Sequence, residues 1–243
     1  MKKYRVIIDL WDEEKKIEDM DIMFLMDKFG YCKTIDMNTY ERNKEAAHTE
    51  FKYIVKCRST GRICIFTNKG QLHTIKVQDI PFGRFREKGL PVENISNYRA
   101  NDEDIVTITS QYELNLYRLF FITKQSMCKI VSGGEFDVAK RTVAATKLAE
   151  GDEVLSIHII NEYQHIILRT KSGYFCRFAV DDVSELKKTA MGVRGMKLNK
   201  NDEIENVFYV TSEDQFIEYN NKKIDINKIK LGKRDTQGTK IRV

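Results

Sequence analysis

The chain is short of the residues that interrupt or cross-link a fold. Pro81 and Pro91 are the only prolines among 243 residues, and there is one tryptophan. No proline-rich or low-complexity linker therefore divides it. Its five cysteines, Cys32, Cys57, Cys64, Cys128 and Cys176, are odd in number and contain no Cys-x-x-Cys pair. Small buried strand residues account for them better than disulfides or a metal site. No apolar run approaches the roughly 20 residues of a membrane-spanning helix. The stretch Val6–Leu10 is interrupted by Asp9 and is too short for a secretory leader, so the chain reads as cytoplasmic, with no membrane partner. There is no Walker A loop, no His-Glu-x-x-His and no Gly-x-Gly-x-x-Gly. None of His48, His73, His158 and His165 pairs with cysteine at zinc-ligand spacing. The expectation is a non-catalytic chain with no cofactor of its own.

Hydrophobic residues make up 42% of the chain and charged residues 32%, an ordinary globular balance. The net charge is +5, and it is unevenly placed. Residues 1–60 hold 12 Lys/Arg against 12 Asp/Glu, whereas residues 184–243 hold 13 against 9.

Self-similarity is the dominant signal. Each unit opens with an apolar run and a polar tight turn, followed by a second strand with a basic residue. The clearest copies are Ile63-Cys64-Ile65-Phe66-Thr67-Asn68-Lys69-Gly70, Leu119 to Ser126, and Ile166 to Gly173. An earlier copy runs Ile22 to Gly30 and a degenerate one Phe216 to Asn221. These are hairpin signals. An apolar anchor follows each turn: Tyr40, Ile80, Phe136, Val183 and, after the shorter last hairpin, Ile229. Gly89, Gly192 and Gly238 stand nine residues beyond their anchors. Approximate repeats are 1–60, 61–115, 116–162, 163–212 and 213–243. One such unit cannot bury both faces of its sheet, so units must pack on one another. The expected fold is all-β, a single propeller-like domain spanning 1–243, with about five (five or six) four-stranded blades. No long helical stripe appears, although Glu41 to Phe51 can form a helical turn or two. Phe66, Phe120, Phe121 and Phe178 read as core residues.

Between anchor and returning strand lies a basic loop. Arg84, Arg86 and Lys88 occupy the second unit's loop, Lys140 and Arg141 the third's, Lys187, Lys188 and Arg194 the fourth's, and Lys233 and Arg234 the fifth's. Equivalent positions in packed repeats fall on one side of the assembly, so these loops are expected along one rim. A rim of Lys and Arg suits phosphate contact with duplex DNA. Backbone N–H groups near Gly89, Gly192 and Gly238 are further candidates, and Phe85, between two arginines, is a candidate DNA contact. The acidic exits Glu150-Gly151-Asp152-Glu153-Val154 and Lys200-Asn201-Asp202-Glu203-Ile204 read either as solvated turns or as charges that confine DNA to one path. Gly192-Val193-Arg194-Gly195 matches an RNA-binding Gly-x-x-Gly loop in letters only, because it lies between strand signals. The alternative function is a propeller-like protein–protein interaction module.

The repeats resemble the C-terminal DNA-binding domain of the A subunit of bacterial type IIA topoisomerases, DNA gyrase and topoisomerase IV. The resemblance is carried by Phe66-Thr67-Asn68-Lys69-Gly70, by Lys147 to Val154 and by Lys187 to Leu198, and it covers about Tyr4 to Val243. It implies a β-pinwheel, a disc of blades that exchange a strand, with DNA bent around a basic perimeter. It also implies a bacterial, nucleoid-associated setting. The partners implied are double-stranded DNA, the rest of the A subunit with its breakage-reunion region, and an ATPase B subunit. ATP and Mg would be used by those other parts. None of the eleven tyrosines matches the family's catalytic context. Gyrases carry a box like Gln-Arg-Arg-Gly-Gly-Lys-Gly in the first blade's loop. Here that place reads Asn43-Lys44-Glu45-Ala46-Ala47-His48-Thr49, which favours a topoisomerase IV-like subunit or a diverged paralogue.

Overall fold

The structure, a computed structural model, describes residues 18–241, so the Val6–Leu10 stretch lies outside it. Among the described residues, five hairpins succeed one another. The first is β1 (Asp21–Met26) and β2 (Tyr31–Asp36), followed by helices α1 (Met37–Arg42) and α2 (Lys44–Glu50) and by β3 (Tyr53–Arg58). The second is β4 (Arg62–Thr67) and β5 (Gln71–Lys76), followed by β6 (Leu90–Pro91), α3 (Val92–Ile95), β7 (Ile105–Ser110) and α4 (Gln111–Leu114). The third is β8 (Arg118–Thr123) and β9 (Met127–Ser132), followed by β10 (Thr142–Ala144) and β11 (Val154–Ile159). The fourth is β12 (His165–Thr170) and β13 (Tyr174–Ala179), followed by β14 (Val193–Arg194) and β15 (Ile204–Val210). The last is β16 (Phe216–Tyr219) and β17 (Lys222–Asp225), with β18 (Leu231–Gly232) and β19 (Thr239–Lys240) after it.

Each hairpin forms where β-prone residues flank a residue that tolerates positive φ: Gly30, Gly70, Ser126, Gly173, and Asn220 with Asn221. Four hairpins grow into blades, and the fourth strand of each is borrowed. Sheet orders are β3-β1-β2-β6, β7-β4-β5-β10, β11-β8-β9-β14 and β15-β12-β13-β18, with β19 also pairing β13. The strand that completes a blade therefore arrives only after the chain has built the next hairpin. The fifth hairpin pairs only with itself among the described residues, so four blades are complete and the fifth is a bare hairpin.

Alternation along each strand divides the apolar residues between two faces. Ile22, Phe24 and Met26 meet Ile63 and Ile65 between blades 1 and 2. Cys64 and Phe66 meet Leu119 and Phe121 between blades 2 and 3. Phe120 and Ile122 meet Ile166 and Leu168 between blades 3 and 4. Ile167 and Phe175 meet Ile217 and Ile224 beside the last hairpin. The five anchors Tyr40, Ile80, Phe136, Val183 and Ile229 are all buried, as are Phe66, Phe120, Phe121, Phe178 and all five cysteines. Strands β3, β7, β11 and β15 touch in series and are innermost. The second and borrowed strands therefore lie on the outer edge of each blade.

Two ends remain. The free face of blade 1, with Met23, Leu25 and Ile35, is covered by Tyr40 and Ala47 of the two helices, with Phe51 beside them. Asp36 starts the first helix by accepting a hydrogen bond from the Thr39 N–H at 2.8 Å. The expected one or two helical turns are thus the lid of the first blade. At the other end, the outward face of the last hairpin presents Phe216, Glu218 and Lys223, all exposed.

Candidate nucleic-acid interface

Each basic loop is laid against the outer strand of the preceding blade. The Thr34 N–H bonds to Pro81 O at 2.8 Å and the Gly83 N–H to Thr34 O at 3.0 Å. One blade on, the Thr74 N–H bonds to Arg141 O at 2.9 Å, and next the Ile130 N–H bonds to Ser184 O at 3.1 Å. In the last loop Leu231 pairs with Arg177. Gly89, Gly192 and Gly238 all have positive φ, and an added Cβ would stand 2.3, 2.5 and 2.2 Å from the carbonyl oxygens of Cys32, Cys128 and Phe175. Their spacing is set by this backbone crossing, where only glycine fits.

The ten expected contact residues fall into three groups. Arg84, Arg86, Lys140 and Lys233 are exposed, and their side chains make no hydrogen bond or ion pair among the described residues. Arg141 is exposed with one long bond of 3.4 Å to Ile95 O, and Lys88 is exposed with its ammonium 3.9 Å from the centre of the Tyr31 ring. A second group is exposed but paired. Lys187 lies 2.7 Å from Glu135, with its side chain 79% exposed, and Arg194 lies 3.5 Å from Asp235. The Lys187 contact lowers the carboxyl pKa of Glu135 and raises the ammonium pKa. The third group faces inward. Lys188 is half-buried and donates to Glu135 O. Half-buried Arg234 donates to Asp182 O at 2.9 Å and Arg194 O at 3.2 Å. These two hold loops in place.

Phe85 also faces inward. It packs edge-on against Phe51, ring centres 5.8 Å apart, in the cluster under the helical lid. An arginine on each side made it resemble a surface residue, but Arg84 to Glu87 is a tight turn, closed by the Glu87 N–H to Arg84 O at 3.1 Å, and Phe85 within it packs towards the lid while the arginines stay exposed.

The acidic exits are structural turns with interior bonding. Asp152 is buried and accepts from the Gln125 and Glu153 N–H groups at 2.9 and 2.8 Å. Asp202 repeats this with Ser172 and Glu203 at 3.1 and 3.0 Å. Glu153 binds Lys69 and Lys124 at 2.7 and 2.6 Å, and the two ammonium groups hold its pKa down at about 2. Turn-tip lysines are therefore largely neutralised, which leaves the loops as the cationic feature of each blade.

One recurring feature did not stand out in the sequence. The third residue after each turn, on the second strand, reaches the loop that crosses it. Lys33 donates to Phe85 O and Glu87 O. His73 Nδ1 lies 2.9 Å from Thr142 Oγ1. Lys129 donates to Lys188 O, Ala190 O and Lys187 O at 2.7, 2.8 and 3.3 Å. Cys176 Sγ lies 3.5 Å from Thr236 Oγ1. A basic residue on the second strand was legible, but its inward direction was not.

Residues 117–161 and 164–211, blades 3 and 4, match the family described as DNA gyrase C-terminal domain, beta-propeller. The DNA gyrase A subunit of Helicobacter pylori is 26% identical over 236 residues, covering 92% of this chain and 28% of that protein. The chain thus spans little more than a quarter of that relative's length. The C-terminal domain of DNA topoisomerase IV superposes with a TM-score of 0.79 at 23% identity, covering 93% of this chain and 73% of that one. The DNA gyrase A C-terminal domain gives 0.60 at 21% identity, covering 90% and 76%. Blades 3 and 4 match that family's sequence, and the chain as a whole has the fold of the C-terminal domains of DNA topoisomerase IV and DNA gyrase A, a β-pinwheel.

Proposed function

We propose that this chain is the DNA-binding and DNA-bending domain of a type IIA topoisomerase A subunit, non-catalytic in itself. It contacts duplex phosphates through its perimeter loops and helps set the topological preference of the whole enzyme. One observation carries the reading: four consecutive loops, each fixed across the outer strand of a blade, each present exposed Lys or Arg. Phosphate contact through such side chains releases counterions and needs no base reading. Strand cleavage and ATP hydrolysis, with Mg, belong on this reading to other parts of a bacterial cytoplasmic enzyme, the breakage-reunion region and the ATPase B subunit.

A salt series of duplex binding tests it. With about six phosphates contacted, log affinity falls against log salt with a slope of roughly −5. Replacing Arg84, Arg86, Lys140 and Lys233 together by alanine makes that slope shallower by about 3 to 4 and weakens all sequences alike. Absence of duplex binding at low salt overturns the reading in favour of a protein-interaction module. An unchanged slope in the variant places the interface on another face.

A further inference from the structure

Lys33 and Lys129 occupy the same place in blades 1 and 3, three residues after the turn, and are 3% and 1% exposed. A buried ammonium is costly unless its donors are satisfied, and it has three to satisfy. Both solve this in one way. Lys129 sits over the Phe121 ring, 5.3 Å from its centre. It donates to the carbonyls of Lys187, Lys188 and Ala190 in the crossing loop, with Ala145 O at 3.5 Å. Lys33 lies between the Phe51 and Phe85 rings, 5.0 and 5.5 Å from their centres, and donates to the carbonyls of Phe85 and Glu87. In each case a surface loop turns its carbonyl oxygens inward to one cation. Most of its basic side chains are left pointing out, Arg84, Arg86 and Lys88 over Lys33 and Lys187 over Lys129, while Lys188 turns in to Glu135 O.

We propose that Lys33 and Lys129 are positioning residues for the DNA interface. Each is a buried latch that gathers the carbonyl oxygens of a basic loop and so fixes the direction of that loop's outward cations. The inference rests on the DNA reading above, because its purpose is to order a phosphate-binding surface. Blades 2 and 4 carry weaker versions of the same contact, one imidazole nitrogen of His73 and the thiol of Cys176. The strongly latched loops are therefore those of residues 83–89 and 184–191.

The test uses the whole chain with Lys129→Met, Lys129→Gln and Lys33→Met. The methionine keeps length and apolar bulk and removes the charge, so the thermal melt is expected to hold or rise. Amide hydrogen exchange is expected to quicken across residues 184–191 in Lys129→Met and across 83–89 in Lys33→Met, with inner-strand amides unchanged. Duplex affinity falls about tenfold, and the salt slope becomes shallower by about one to two contacts at 0.9 each. Lys129→Gln, which keeps an amide NH2 with two N–H donors, recovers part of the exchange protection. Unaltered loop exchange and salt slope in folded variants overturn the latch while leaving the DNA reading intact. Loss of fold in all three variants also overturns it, since a latch ordering only a surface loop is dispensable to the core. Failure of the unmodified chain to bind duplex overturns the DNA reading instead.

Discussion

An ammonium at 1% exposure has lost its water, and at Lys129 carbonyl oxygens and an aromatic face stand in for it. The substitution is incomplete. Burial lowers its pKa from the ordinary lysine value of 10.5 to about 8, with Glu135 pulling the other way. The sign of the consequence follows from linkage. Between about pH 8 and 10.5 the unfolded chain binds this proton and the folded chain does not, so folding stability gains from this residue as pH rises. Below pH 8 the folded state carries the full cost of the buried charge. Denaturant unfolding at pH 7.5 and 10 is expected to show this alkaline gain in the native chain. Subtracting the same pair of measurements on Lys129→Met should isolate it, and an equal pH response in the two proteins refutes it. The latch and the core thus respond to alkali in opposite directions: the core is relieved while the loop loses its cation.

The hairpin is the element at which sequence and structure agree best. Turns at Gly30, Gly70 and Gly173 are local events, fixed by one residue with positive φ between strand-forming runs. Their connections to the next blade carry a second device, seen in Glu153. This carboxylate joins the turn lysine of blade 2, Lys69, to that of blade 3, Lys124, and its pKa is held at about 2 by those partners. Its contribution is present above the ordinary glutamate range and is lost as pH falls from about 4.5 to about 2. For Glu153→Gln we expect a loss of about 0.5–1 kcal/mol at neutral pH, with little difference from the native chain near pH 2. Parallel melts at pH 7 and 2.5 check both halves of that statement. The borrowed strands β6 and β14, by contrast, were not legible. Each has two residues, too few for any periodicity, and each pairs with a strand some 60 residues back. What marks them is the glycine just before, Gly89 or Gly192, whose spacing was visible although the crossing that requires it was not. The same limit applied to the basic loops. Their composition was plain, but whether a cation faces water, as Arg84 does, or a neighbouring carbonyl, as Arg234 does, depends on a strand that the sequence does not place beside it.

At the scale of the molecule the decisive feature is that the two ends differ from the middle. Interior blades bury both faces, as stacked repeats must, and terminal units need another cover. Blade 1 has α1 and α2, while the last hairpin leaves its outer face open, with Glu218 and Lys223 beside exposed Phe216. The helical lid also occupies the place where the resemblance to gyrase leads one to expect a glycine-rich basic box. Residues 43–49 form most of α2 there, Ala47 is fully buried beneath it, and Lys44 lies 4.0 Å from Glu41. Glu45 and Glu50 are exposed on the same helix. Four successive loops therefore form a cationic track, and the track meets a neutral-to-acidic lid at blade 1. On the DNA reading proposed above, a duplex following the perimeter would be bent over the arc of those loops and would find no counter-charge with which to continue past the first blade. Ligation of nicked circles with increasing amounts of the domain reads this directly. Binding is expected to saturate with only a small change in mean linking number. Converting 43–49 to a basic, glycine-rich segment is expected to enlarge the change only if the lid can be given up without unfolding blade 1. A large, one-handed linking change by the native chain would show that the four loops alone suffice to wrap DNA, and that the lid does not end the path.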